Sequence, residues 1–262
     1  MGTPSNLTWR FGAIWYRNWI VYRKTWQVSF LPPLLEPLLY LAAFGIGFKM
    51  LIPNVQFHGR DVSYVAFIAP ALIAVSIMNS SFFETTYTSF VRMYYQKTFD
   101  AIMAAPVSVE EVAAGEIVWG MTRSVLSAAI MLVVLTAVGL IRLPYGLLLL
   151  PLAVLGGLGF GALGMIFTSL VPNIDLFTLP TFLFITPMFL FGATFFPLDA
   201  LPVWAQHLAL AFPLTHLVLV AREAGFGSFS GWSTVGSLLY LTVFAAILFP
   251  LALKLMRRRL IR

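Results

Sequence analysis

Apolar residues fall into six long runs separated by short polar connections: Leu31 to Ile52, Val62 to Phe83 with a polar extension to Phe90, Ile117 to Ile141, Tyr145 to Val171, Leu176 to Phe196, and Val235 to Met256. About 20 helical residues cross the roughly 30 Å hydrocarbon layer of a membrane. Backbone groups in lipid must find partners inside their own segment, which favours helices over open sheet. The pattern therefore predicts an all-α membrane protein with six transmembrane helices. A composition of 60% hydrophobic and 10% charged residues, with a mean hydropathy of +0.91, is more apolar than one water-soluble core can hide.

The segment before the first run has a different rhythm. At 100° per residue, Phe11, Trp15, Trp19, Tyr22 and Trp26 share one arc, while Arg10, Arg17 and Lys24 lie opposite. Indole rings favour the headgroup layer and basic groups favour water and anionic lipid, so residues 1–30 are expected to form an interfacial amphipathic helix. Residues 31–256 would be the six-helix membrane domain and 257–262 a basic cytoplasmic tail, all within one domain, 1–262.

Charge sets the expected orientation. Most of the 16 Lys and Arg residues lie in segments that alternate to one side, with Lys49, Arg60, Arg142 and Arg222 left outside or at the outer rim. Lys and Arg are retained in the cytoplasm, so both termini are expected to face inward. The net charge of +6 then needs only anionic lipid, not nucleic acid, as its partner. No cleavable signal is expected, because aromatic and basic residues occupy the place of an apolar signal core. The absence of cysteine excludes disulfides, thiolate metal sites and cysteine nucleophiles.

Polar residues inside the apolar runs are candidates for function, because a buried charge in lipid is costly. Glu36 sits one turn inside the first span, where it either faces protein or water or caps a helix start. Asn79, Ser80, Glu84 and Thr88 make the inner end of the second span polar. They would line an aqueous inner cavity or bond between helices, with Glu84 pairing an Arg or Lys. The segment Arg92 to Pro106 reads as a separate short cytoplasmic helix over 93–105, with Phe99, Ile102 and Met103 on an apolar side and Lys97 and Asp100 on a polar one; the apolar side would be offered to a partner or lie on the lipid surface. Ser108 and Glu111 have capping-box spacing and start the next helix. Gly157 and Gly161 permit close packing against another span or a second copy. Pro197 to Arg222 is too short to cross twice, and Pro213 breaks it, so it is expected to form two short helices dipping into the outer leaflet. His207 and His216 read as amphipathic surface residues without a metal.

Several chemistries are missing. There is no G-x-x-x-x-G-K-[ST] loop, so ATP is not bound through a P-loop, and there is no H-E-x-x-H or G-x-S-x-G.

The order of these parts, with the stretches Lys97-Thr-Phe-Asp-Ala-Ile-Met-Ala-Ala-Pro-Val-Ser108, Leu190-Phe-Gly-Ala-Thr-Phe-Phe-Pro-Leu-Asp-Ala-Leu-Pro202 and Phe212-Pro-Leu-Thr-His216, resembles the ABC-2 type permeases, and among them the nodulation-factor (lipo-oligosaccharide) exporter branch. The resemblance implies a permease homodimer in a bacterial plasma membrane. It also implies two copies of a separate cytoplasmic ATPase that binds ATP and Mg, and an amphipathic glycolipid cargo moved outward. It places ATPase coupling at Lys97, Thr98, Phe99 and Asp100. A translocation path would involve Glu36, Tyr40, Asn79, Glu84, Phe182 and Phe189. An outer gate would involve Phe196, Pro197, Asp199, Trp204, Pro213 and His216. The chain itself would be no enzyme and hold no cofactor. The alternatives are an exporter of a drug or polysaccharide, a proton-coupled secondary transporter titrating Glu36 or Glu84, and a membrane-embedded enzyme.

Overall fold

The computed structural model describes residues 7–47, 54–57 and 59–261, without the side chains at 28–30, 32–34, 36, 37, 44–46 and 60. Helix α1 (Phe11–Gly47) leaves the end of the bundle where the Thr8 amide donates to Glu111 and reaches the other, where Tyr40 meets Phe195. There an antiparallel hairpin, β1 (Asn54–Phe57) and β2 (Arg60–Ser63), turns the chain, with Asn54 opposite Ser63 and Phe57 opposite Arg60. Helix α2 (Tyr64–Phe83) runs back and continues through wider π-helical turns to Tyr95. After the short α3 (Thr98–Met103), α4 (Val109–Ala137) and α5 (Leu149–Leu170) form an antiparallel pair. The run Ile174–Phe191 contains α6 (Thr178–Pro180) and α7 (Thr186–Phe191). Helices α8 (Val203–Leu210) and α9 (Pro213–Phe226) meet at 90°, and α10 (Trp232–Leu260) returns to the first end, where Arg257 lies 2.9 Å from Glu110.

The end that carries Glu111, α3 and Arg257 is here the basic end; the other is the hairpin end. Phe226, which closes α9, packs against Phe57 with ring centres 5.2 Å apart at the hairpin end, and α8 follows Phe195 at that same end. The α8–α9 pair thus enters and leaves on one side. Tyr64–Tyr95, Val109–Ala137, Tyr145–Leu170, Ile174–Phe191 and Trp232–Leu260 are each long and apolar enough to cross a membrane. Their outer faces expose Val133, Leu179, Phe182, Leu183, Leu239 and Ile247. So much exposed apolar surface suits lipid rather than water, and the protein is a multi-pass membrane protein.

Close backbone approach joins the central helices. A Cβ at Gly157 would collide with the Ser124 hydroxyl and lie 3.0 Å from the Met121 Cα, both on α4. Gly161 faces Ile117 and Thr85 of the same chain, so the glycine face of α5 serves intrachain packing. The Ser124 hydroxyl also donates to the Ala153 carbonyl across this contact at 3.0 Å. Further along α2, the hydroxyls of Ser81, Thr85 and Thr86 bond back to carbonyls one turn earlier. Such back-bonding loosens a helix. The π-helical turn begins at Glu84, and the Thr85 carbonyl accepts from Thr168 of α5 at 2.6 Å.

Three expectations change. The interfacial helix and first span are one continuous helix, which runs on through Pro32, Pro33 and Pro37; that span is described only to Gly47. Its aromatic arc faces protein: Trp15 Nε1 donates to Thr122 at 2.8 Å, and Trp19 and Tyr22 pack on Trp119 at 6.5 and 5.7 Å, with Trp26 alone of these left exposed. The β-hairpin was not expected in an all-α chain; it inserts Phe57 between Phe67 and Phe226. The helix expected over 93–105 shrinks to α3, because the preceding residues stay wound on α2.

Candidate functional site

Polar side chains gather at the basic end where α1, α2 and α4 meet. Glu84 takes an ion pair from Arg92, lies 3.5 Å from Arg123 Nε and accepts from Trp119 Nε1 at 3.0 Å. Glu116, 1% exposed, accepts from Asn18 Nδ2 at 2.9 Å and Ser89 Oγ at 2.8 Å and lies 3.2 Å from Arg92 Nε. Arg17 donates to Asn18 Oδ1 at 2.9 Å, and the Arg123 guanidinium lies 4.8 Å from the Tyr22 ring centre. Arg92 thus bridges two carboxylates from different helices. Buried ions persist only when such partners replace the water they lose. The expectation that Glu84 pairs with a basic residue is met by Arg92 and Arg123.

Beside this cluster the chain turns outward. Lys97 adopts a left-handed conformation (φ 53°), rare for a residue with a Cβ, and α3 starts at the next residue. Lys97 and Asp100 are exposed and Thr98 is half-buried, with the Lys97 ammonium 5.3 Å from the Tyr94 ring centre. Phe99, expected on an apolar side offered to a partner, points inward instead. It is fully buried in a cluster with Phe90, Met93, Val109, Val112 and Phe177. Burying an aromatic ring is worth about 1.5–3 kcal/mol, so Phe99 anchors α3 while its polar residues face out. The surrounding platform is fastened by the capping box of Ser108 and Glu111, the Arg257–Glu110 ion pair, and Arg259, which donates to the Val171 carbonyl at 2.6 Å.

At the hairpin end the expected gate residues separate. Phe196, Asp199 and Trp204 are exposed and Pro197 is half-buried; Pro213 is buried as the first residue of α9. His216, expected on the surface, is a bridge: its ring stacks on Tyr240 at 4.1 Å, with Ser237 Oγ 3.1 Å from Nδ1 and the Leu210 carbonyl 2.9 Å from Nε2. Arg222, expected at the outer rim, is 1% exposed. Its guanidinium lies 3.7 Å from the Phe67 ring centre and donates to the carbonyls of Phe67 at 3.2 Å and Thr194 at 2.8 Å. Its neighbour Glu223 is also buried and accepts from Ser230 and Thr234.

The residues expected along a path do not converge. Tyr40 and Phe189 meet at 5.6 Å, with Phe195 5.0 Å from Phe189, near the hairpin end. Glu84 belongs to the basic end. Asn79 is half-buried, its Oδ1 without a hydrogen-bond partner among the described residues. Phe182 is 69% exposed on the outer surface. The side chain of Glu36 lies outside the described residues. Sequence reasoning missed Arg92, Glu116, Asn18, Arg222 and Glu223 as partners. The detectable signal was the adjacent Arg222-Glu223 pair inside a short apolar helix, since charges there need internal partners.

Comparison with known proteins agrees with this architecture. A family model described as ABC-2 type transporter matches residues 10–226. Nodulation protein J of Rhizobium meliloti (strain 1021) is 35% identical over 98% of this chain and 96% of its own length. Nodulation protein J of Bradyrhizobium diazoefficiens is 34% identical over 99% and 97%. The inner membrane transport permease YadH of Escherichia coli (strain K12) is 27% identical over 79% and 78%. With a family match over most of its length and relatives above 30% identity end to end, the chain belongs to the ABC-2 type transporter family of membrane permeases.

Proposed function

We propose that this chain is the permease subunit of an exporter driven by ATP hydrolysis in a separate cytoplasmic subunit, and that it moves a lipo-oligosaccharide or a similar amphipathic glycolipid outward. The observation that carries the reading is the near full-length likeness to nodulation protein J, joined to a short exposed helix that a buried ring holds at the basic end. In this reading the basic end is cytoplasmic. The chain crosses the bacterial inner membrane six times with both termini inside. Two copies pair, and two ATPase subunits, which bind ATP and Mg, dock on α3. Lys97, Thr98 and Asp100 are the contact residues, and Phe99 transmits the load into the bundle. The α8–α9 pair closes the outer end together with Phe196, Pro197, Asp199, Trp204, Pro213 and His216. Tyr40 and Phe189 line the lateral path of the acyl chain.

Two experiments test this. Because the chain contains no cysteine, a single reporter at Ala101 and another at Ala200, both exposed, should react with impermeant reagents from opposite sides, Ala101 from the cytoplasm. Lys97→Ala with Asp100→Ala should cut glycolipid export in reconstituted vesicles about tenfold or more while leaving protein abundance unchanged. Full export by that variant removes α3 from the mechanism.

The second cargo class is a drug or a polysaccharide, which a vesicle transport panel separates from glycolipid. A proton-coupled mechanism through Glu84 is disfavoured, since its carboxylate is engaged by two guanidiniums and an indole N–H.

A further inference from the structure

A cavity of 290 Å³ opens at the basic end between α1, α2 and α4, lined by Arg17, Tyr22, Glu84, Arg92, Trp119 and Arg123, with Thr25, Thr88 and Gln96 at its exposed mouth. This is several times the ~30 Å³ a water molecule takes in the liquid. The charged groups facing it from each packed element are Arg17 of α1, Glu84 and Arg92 of the α2 run, and Arg123 of α4, with Glu116 of α4 behind the wall. Three guanidiniums against two carboxylates leave a positive charge in excess, in a recess that opens to solvent at its mouth. Arg17 contributes most to that excess, since its bond is to the neutral amide oxygen of Asn18.

We propose that this cavity binds a phosphate-bearing anion of the kind a phospholipid headgroup presents. Planar guanidiniums pair with phosphate oxygens through two parallel bonds, and hydroxyls and amides complete such sites. One negative charge balances the cluster. Exposed Val21 lines the mouth, and exposed Leu31 and Leu35 lie further along α1, giving acyl chains an apolar course away from the headgroup. A bound anion would add a further tie between α1, α2 and α4. The site requires neither the ATPase nor the exported cargo, so this inference and the export reading fail separately.

The test is binding to the purified full chain in neutral detergent, read by the shift in unfolding temperature. The probes are dihexanoylphosphatidylglycerol, sodium phosphate, and dihexanoylglycerol, which has the same chains without phosphate. The phospholipid should stabilise the protein saturably, and dihexanoylglycerol should not. Arg17→Gln, which removes one hydrogen bond at a half-buried position, should weaken phospholipid binding about tenfold, the scale of one charge-assisted contact. Arg17→Lys should keep part of it. Sodium phosphate acting at the same potency identifies the free anion as ligand, and inert sodium phosphate identifies the lipid headgroup; both support the site. Equal phospholipid affinity in wild type and Arg17→Gln, or equal stabilisation by dihexanoylglycerol, overturns it. Should Arg17→Gln not fold, Thr88→Trp, which plugs the exposed mouth, must abolish the shift, and an unchanged shift there overturns it too.

Discussion

The two ends of the bundle bury charge in opposite ways. At the basic end, carboxylates and guanidiniums from the α2 run and α4 meet each other: Arg92 joins Glu84 to Glu116, and Arg123 approaches Glu84 from α4. At the hairpin end, Arg222 and Glu223 are adjacent in sequence and both buried, yet each is held by neutral groups: carbonyls and a ring for Arg222, hydroxyls for Glu223. Removing one member of a buried ion pair leaves its partner uncompensated in a medium that screens poorly. A charge held by neutral dipoles exchanges them for water at a smaller net cost. The basic end is held together by ion pairs between helices, whereas the buried charges of the α8–α9 segment are held by hydrogen bonds to neutral groups.

The comparison breaks most readily at Arg92. Arg92→Leu should lose about 3–5 kcal/mol, because it strips Glu116 and half-strips Glu84; denaturant unfolding in mild detergent measures it. Arg222→Leu should cost less, about 1.5–3 kcal/mol, since what it removes are hydrogen bonds from a charged group to neutral acceptors. An equal or greater loss at Arg222 would erase the contrast between the ends. Thr234→Val sharpens it further: one neutral partner of Glu223 disappears, about 1 kcal/mol is lost, and a cysteine reporter beside α9 should react faster with impermeant reagents. The smallest effect on stability belongs to Asp100→Ala, within about 0.5 kcal/mol as for an ordinary exposed site, although export should collapse under the proposed function.

Much of this architecture is legible without coordinates, because membrane hydrocarbon imposes a length and an apolarity that local sequence must meet. The long runs after residue 60, the capping box at Ser108 and Glu111, and the break at Pro213 all appear near their expected positions. Faces are harder to read. In a membrane bundle, lipid-facing and protein-facing positions are both apolar, so periodicity loses its usual meaning. The aromatic arc of α1 illustrates this: Trp19 and Tyr22 suit a lipid headgroup layer as well as they suit Trp119. Phe99 illustrates the reverse, since an apolar residue on a short exposed helix fits a partner's cleft until the chain's own pocket is seen to hold it.

By itself the sequence determined that the chain lives in a membrane as long helices, which ends are basic, and where short helices interrupt the spans. These follow from local hydrophobicity, charge and turn chemistry. Only the tertiary structure decided that Arg92 unites Glu84 with Glu116, that Arg222 lies buried against Phe67, and that α5 uses its glycines within the chain. Those outcomes depend on which helices come within a few ångströms of one another, and that proximity is a non-local property of packing that neither composition nor spacing encodes.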